Sequence, residues 1–141
     1  VFTAWKTPSV ATKANTPTFT IGGVAFVLRN FAFDLGCDVQ TRMLIGSEAV
    51  LIVDKAEKLS AQVEAVPLTT YNPFSIAQNQ TTQAIQLIHG TVASSRVQLD
   101  FPKAQQARLN GYAIEQNILE WPLDFMPLQN SGNDQWKLSF L

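Results

Sequence analysis

Beyond about residue 19 the chain alternates between apolar and polar positions. From Val27 to Leu35 the odd positions Val27, Phe31, Phe33 and Leu35 are apolar, Asn30 and Asp34 face the other way, and Arg29 is the one break. A period of two marks a half-buried strand. Gly36 punctuates the run, CDVQTRMLI returns as a second strand, and past Gly46 and Ser47 the stretch EAVLIVD has an unbroken apolar run that predicts burial on both faces. In LSAQVEA, Leu59, Ala61, Val63 and Ala65 share a face opposite Ser60, Gln62 and Glu64.

Further along, Asn72 and Pro73 form a cap and first-turn pair that predicts a short helix through about Asn79. Ile85 and Leu87 alternate with Gln86, and Val97, Leu99 and Phe101 with Arg96, Gln98 and Asp100; Pro102 is expected to end that strand or confine its end. Tyr112 to Leu128 reads as one long extended stretch with Leu119, Trp121, Leu123 and Phe125 on one face, and its prolines, Pro122 and Pro127, place part of it at a sheet edge. GNDQWKLSF supplies a turn and a last strand with Trp136, Leu138 and Phe140 on one side. Seven or eight short strands and one helix predict an all-β dominated domain of two packed antiparallel sheets, a sandwich or flattened barrel, over residues 19–141. Residues 1–18, rich in Thr, Ala and Pro without a period, read as an arm or interdomain linker that orders against a partner.

Composition adds two constraints. Charged residues make up 15 % of the chain, against about 25 % in an ordinary soluble domain. The polar surface is therefore rich in amides and hydroxyls, which hydrogen-bond to partners without burying charge. Formal net charge is −1 and no basic patch is visible, so tight binding to nucleic-acid phosphates is not expected. No apolar run approaches the ~20 residues of a membrane-spanning helix.

Candidate chemistry is sparse. His89, Ser94, Ser95 and Asp100 lie within LIHGTVASSRVQLDFPKAQ, yet a triad needs nucleophile, base and orienting group within hydrogen-bond reach, and these residues flank one predicted hairpin whose polar face holds Asp100. Nothing matches G-x-S-x-G. With one His and the single cysteine Cys37, a metal site would have to be all oxygen, and no acidic run has calcium-loop spacing. Asp34 and Asp38 straddle Gly36 as turn-formers do. A carboxylate pair drawn from Glu115, Glu120 and Asp124 has nothing specific about it, and IGGV at 21–24 lacks the spacing of a phosphate loop. The expectation is no enzyme, no cofactor and no metal.

Taken in order and spacing, the blocks FTIGGVAF, FAFDLGCDVQTRMLIGSEAVLIVD, VEAVPLTTYNPFSIAQNQTTQAIQLIHGT, VQLDFPKAQ and GNDQWKLSF resemble the tail tube proteins of long-tailed bacteriophages with flexible, non-contractile tails. The similarity spans nearly all of residues 19–140 and rests on no single motif. It implies a structural virion protein, made in the bacterial cytoplasm, whose partners are copies of itself and other tail proteins. Such subunits form stacked, usually hexameric rings, and the phage DNA leaves through the bore without specific binding. The resemblance also implies a long hairpin at the inner wall, matched here to Val27–Ile45, with Arg29, Asn30, Asp34, Asp38, Gln40 and Arg42 as guessed lumen or ring-interface residues. The chain starts at Val1 rather than Met, which reads as a piece of something longer; two-domain members of the family keep a trimeric, pseudo-sixfold ring open beside the hexamer. A β-sandwich binding module for carbohydrate or protein is the alternative. Exposed aromatics would be its sign, whereas Trp121 and Trp136 sit among Leu and Phe.

Overall fold

The computed structural model describes residues 7–109 and 111–141. Strand β1 (Thr18–Ile21), the two-residue β2 (Val24–Ala25) and β3 (Leu28–Asp34) come first, followed by β4 (Cys37–Leu44), β5 (Ser47–Lys55) and β6 (Lys58–Glu64). Helix α1 (Pro73–Gln78) precedes β7 (Thr82–His89), β8 (Val97–Gln106), β9 (Ala113–Glu115), β10 (Ile118–Pro127) and β11 (Lys137–Phe140). The fold is all-β with one short helix and two antiparallel sheets, as the alternation predicts. The sheets are unequal. The large one runs β2-β1-β7-β8-β10-β6-β3, with β11 on β8 and β9 on β10, and the second is the β4-β5 pair alone.

The large sheet coils so that its ends approach without closing into a barrel. Phe19 on β1 meets Phe31 on β3 edge-to-face at 6.0 Å although five strand boundaries separate them in sheet order. Inside the curve lie the alternating side chains read from the sequence: Leu59, Ala61 and Val63 from β6, Trp121, Leu123 and Phe125 from β10, Ile85 and Phe101 from the β7-β8 hairpin. Burial of these apolar side chains, about 1.5–3 kcal/mol for each one larger than alanine, holds the sheet.

Local chemistry explains the boundaries. Asn72 caps α1, its Oδ1 accepting from the Phe74 and Ser75 amides at 3.1 Å. Pro102 does not end β8, which continues to Gln106. It sits where the β7 register shifts and between the β11 and β10 partners on the other side, a stretch where no ladder donor is required. Pro122 likewise falls in the part of β10 that pairs with β6 alone. The expected single stretch from Tyr112 is instead a β9-β10 hairpin, turned by Gln116 and Asn117, both at positive φ (54° and 62°) as a type I′ turn requires.

Of the expected arm, residues 1–6 lie outside the described residues; residues 7–17 carry no strand, and the amide of Gly90 donates to Asn15 O at 2.6 Å.

Candidate assembly surface

The stretch Val27–Ile45 does not form a hairpin of its own. β3 pairs with β6 (Asp34 opposite Lys58), and β4 pairs with β5 (Cys37 opposite Lys55). Between the two ladders a single bond from Ala56 N to Gly36 O, 3.1 Å, keeps the strands together. The result is one long hairpin from Leu28 to Glu64, turning at Ile45 and Gly46. Its root, β3/β6, belongs to the large sheet; its distal half, β4/β5, is a free ribbon.

The kink between them is set by sequence. Gly36 has φ +54°, and a Cβ there would stand 2.2 Å from Ala56 O, so only glycine allows the strands to stay paired through the bend. Asp34 Oδ1 accepts from the Gly36 amide at 2.9 Å, the turn role its position suggests. Beneath the kink, Glu57 is buried, 3.8 Å from Lys55 Nζ, and its Oε1 has no hydrogen-bond partner among the described residues, which costs stability at this point.

The burial expected on both faces of EAVLIVD is not found: every residue of β4 is exposed, as is every residue of β5 except the half-buried Ala49. Cross-strand register still separates two faces. Val39 opposes Ile52, Thr41 opposes Val50 and Met43 opposes Glu48 on one; Gln40 opposes Leu51, Arg42 opposes Ala49 and Asp38 opposes Asp54 on the other. The first face is apolar, with Val39 55 %, Met43 67 %, Val50 65 % and Ile52 63 % exposed. A two-stranded hairpin standing alone in water is marginal at best, and this one leaves its apolar side uncovered.

Of the six residues picked from sequence, the structure puts three on the root and three on the ribbon. Asn30 and Asp34 are exposed on β3; Asp38, Gln40 and Arg42 share the polar face of the ribbon, where Gln40 Nε2 donates to Asp38 Oδ1 at 2.8 Å. Arg29 has a different task. It is the extra residue of a bulge between Leu28 and Asn30, which accounts for the break in the alternation. Its guanidinium reaches Glu120, Nε donating to both carboxylate oxygens at 2.7 and 2.8 Å and Nη2 lying 2.6 Å from Oε1. Gln62 Nε2 donates to the same carboxylate at 2.5 Å. Glu120 is only 1 % exposed, and its hydrogen bonds from Arg29, then Gln62, hold its carboxyl below the usual glutamate range against the opposing pull of burial.

The residues weighed as a triad go elsewhere. His89 closes β7 with Nδ1 2.9 Å from Thr16 Oγ1, while Asp100 accepts from Gln86 at 2.8 Å and Gln98 at 2.6 Å. Trp121 is buried and Trp136 packs on Phe33 at 5.7 Å, so neither forms an exposed platform. Leu138 and Phe140, expected on the same side as Trp136, are exposed on β11. Among the described residues no group of three or more His, Cys, Asp or Glu could hold a metal ion, and no helix is long and apolar enough to cross a membrane.

A groove of about 700 Å³, missed by the sequence reading, opens beside the kink where β3, β6, β8 and β10 come together. The exposed Met126 and half-buried Phe33 give it apolar surface, the buried Leu59 and Phe125 lie behind them, and Asp34, Lys58 and Asp124 also line it. No protein-family model and no curated protein matches the chain.

Proposed function

We propose that this chain is a structural subunit that assembles with copies of itself into rings and stacked tubes, as phage tail tube proteins do, and that DNA passes through the bore without specific binding. One observation carries the reading: a two-faced ribbon whose apolar side is covered by none of the described residues. Burying what is still exposed of Val39, Met43, Val50 and Ile52, each 55–67 % exposed, contributes on the order of 3–8 kcal/mol at about 1.5–3 per fully exposed side chain. That is comparable to the roughly 4–15 kcal/mol that association costs, so the ribbon drives assembly only together with further contacts. The exposed Leu138 and Phe140 on β11 offer one.

The opposite ribbon face suits a bore. Asp38, Gln40 and Asp54 give it acidic and amide groups beside Leu51 and no basic cluster, so phosphates pass without the counterion release that makes binding tight. Other tail proteins would meet the same surfaces at the ends of a tube.

Light scattering over a concentration series, with negative-stain images of the most concentrated sample, tests the proposal. Ring-sized masses, and rings or tubes in the images, are the expected result; the double variant Val50→Ser, Ile52→Thr should remain monomeric while its unfolding free energy stays within about 0.5 kcal/mol of the parent. A parent chain that is monomeric at every concentration overturns the proposal.

A further inference from the structure

The tip of the ribbon and the groove beside its root are complementary, and one chain does not bring its own two together. Asp34 and Lys58, the last paired residues of the root, line the groove. From there the ribbon departs for the length of β4, eight residues, or about 26 Å at ~3.3 Å per residue. Its tip, Met43 to Ile45, is exposed throughout.

We propose that the ribbon tip enters the groove of the next copy of the chain end-on. The inference rests on the assembly reading above and names the surface that receives the ribbon. Chemistry at the two ends matches. Met43, Leu44 and Ile45 are apolar, and in the groove the exposed Met126 and the half-buried Phe33 are apolar too. A tip that enters end-on presents both ribbon faces to the groove, Glu48 from one and Arg42 from the other. The groove holds Lys58 to answer Glu48, and Asp34 and Asp124 to answer Arg42. None of these five forms an ion pair within the described residues. Opposite charges meeting at such a contact set its register and steer the encounter. A volume of about 700 Å³ accepts a few side chains and not a whole ribbon, which makes the tip the part that seats. Because tip and groove are different patches of one surface, the contact is head-to-tail, the kind that closes into a ring or continues as a filament.

The test uses the full chain carrying Cys37→Ser. One batch adds Met43→Cys, a second Met126→Cys, and a third Ile114→Cys on β9 as a control for random collision. The expected result is a disulfide-linked dimer when the first two are mixed under mild oxidation, absent from either alone and from mixtures of Met43→Cys with the control. In cysteine-free chains, Glu48→Lys is expected to raise the concentration needed for assembly about tenfold, and Lys58→Glu in the same chain to restore it. Rings or tubes that form without the mixed dimer and without the charge-swap rescue overturn the docking and leave the assembly reading intact. Equal linkage to Ile114→Cys also overturns it. A chain that never assembles overturns both.

Discussion

The root and the ribbon of the long hairpin are made of the same kind of sequence and meet opposite fates. Both alternate, both pair antiparallel, and they follow one another without a gap in the chain. In the root, Leu59 and Val63 are 1 % and 0 % exposed because β10 and the coiled sheet cover them. In the ribbon, Val50 and Ile52 stand in solvent because none of the described elements packs on them. Pattern therefore specifies a strand and its faces, while burial is conferred by what lies opposite. Where the described residues supply no cover, an apolar face stays in solvent.

Substitution in the two halves should separate these roles. Leu59→Ala empties a fully buried site in the root and should cost about 2–5 kcal/mol of unfolding free energy, whereas Val39→Ala in the ribbon should change it by less than about 0.5 kcal/mol. Chemical denaturation of the monomer measures both; equal losses would mean that ribbon and root fold as one packed unit. Next in size is the kink. Gly36→Ala adds strain at φ +54° and drives a Cβ into Ala56 O, so a loss of about 1–3 kcal/mol is expected, confined to the ribbon and seen as faster amide exchange in β4 and β5 with β6 unaffected.

The smallest effect concerns acid. Glu120 titrates below its ordinary value in the folded chain because Arg29 and Gln62 bond its charged form. Its contribution is present above the unfolded value of about 4.3 and is lost as pH falls through the lowered one. Denaturation midpoints measured between about pH 5 and pH 2 should therefore decline in the parent, and the decline should be shallower in Glu120→Gln. Because the site tethers β3 to β10, this acid response belongs to the root, and ribbon variants should leave it unchanged.

Much of the large sheet and its helix could be read in advance. Leu59, Ala61 and Val63 alternate without a break, Trp121, Leu123 and Phe125 do the same, and Asn72-Pro73 states the start of the helix in its own chemistry. Long-range pairing could not. Nothing local tells β3 to choose β6 over β4, since that depends on how β10 presents its face, so the alternation puts a turn at Gly36, about ten residues before the real one at Ile45 and Gly46. Gln116-Asn117 has no glycine to announce a two-residue turn. Arg29 was visible only as an anomaly in a strand; its partner Glu120 is 91 residues away. The groove has no sequence signature at all, being assembled from four strands. As for the six guessed residues, Asp38, Gln40 and Arg42 share a face because they are spaced by two, which is legible; their separation from Arg29, Asn30 and Asp34 by the kink is not.

The exposed β5 also bears on the behaviour of the chain in solution. Ala49 to Val53 is a short uncharged β-forming run without proline, the composition that stacks into cross-β fibrils. Glu48 precedes it and Asp54 and Lys55 follow, charges placed as gatekeepers are, which slow such stacking without removing its cause. If the ribbon assembles as proposed, that contact and fibril growth would draw on the same side chains, Val50 and Ile52.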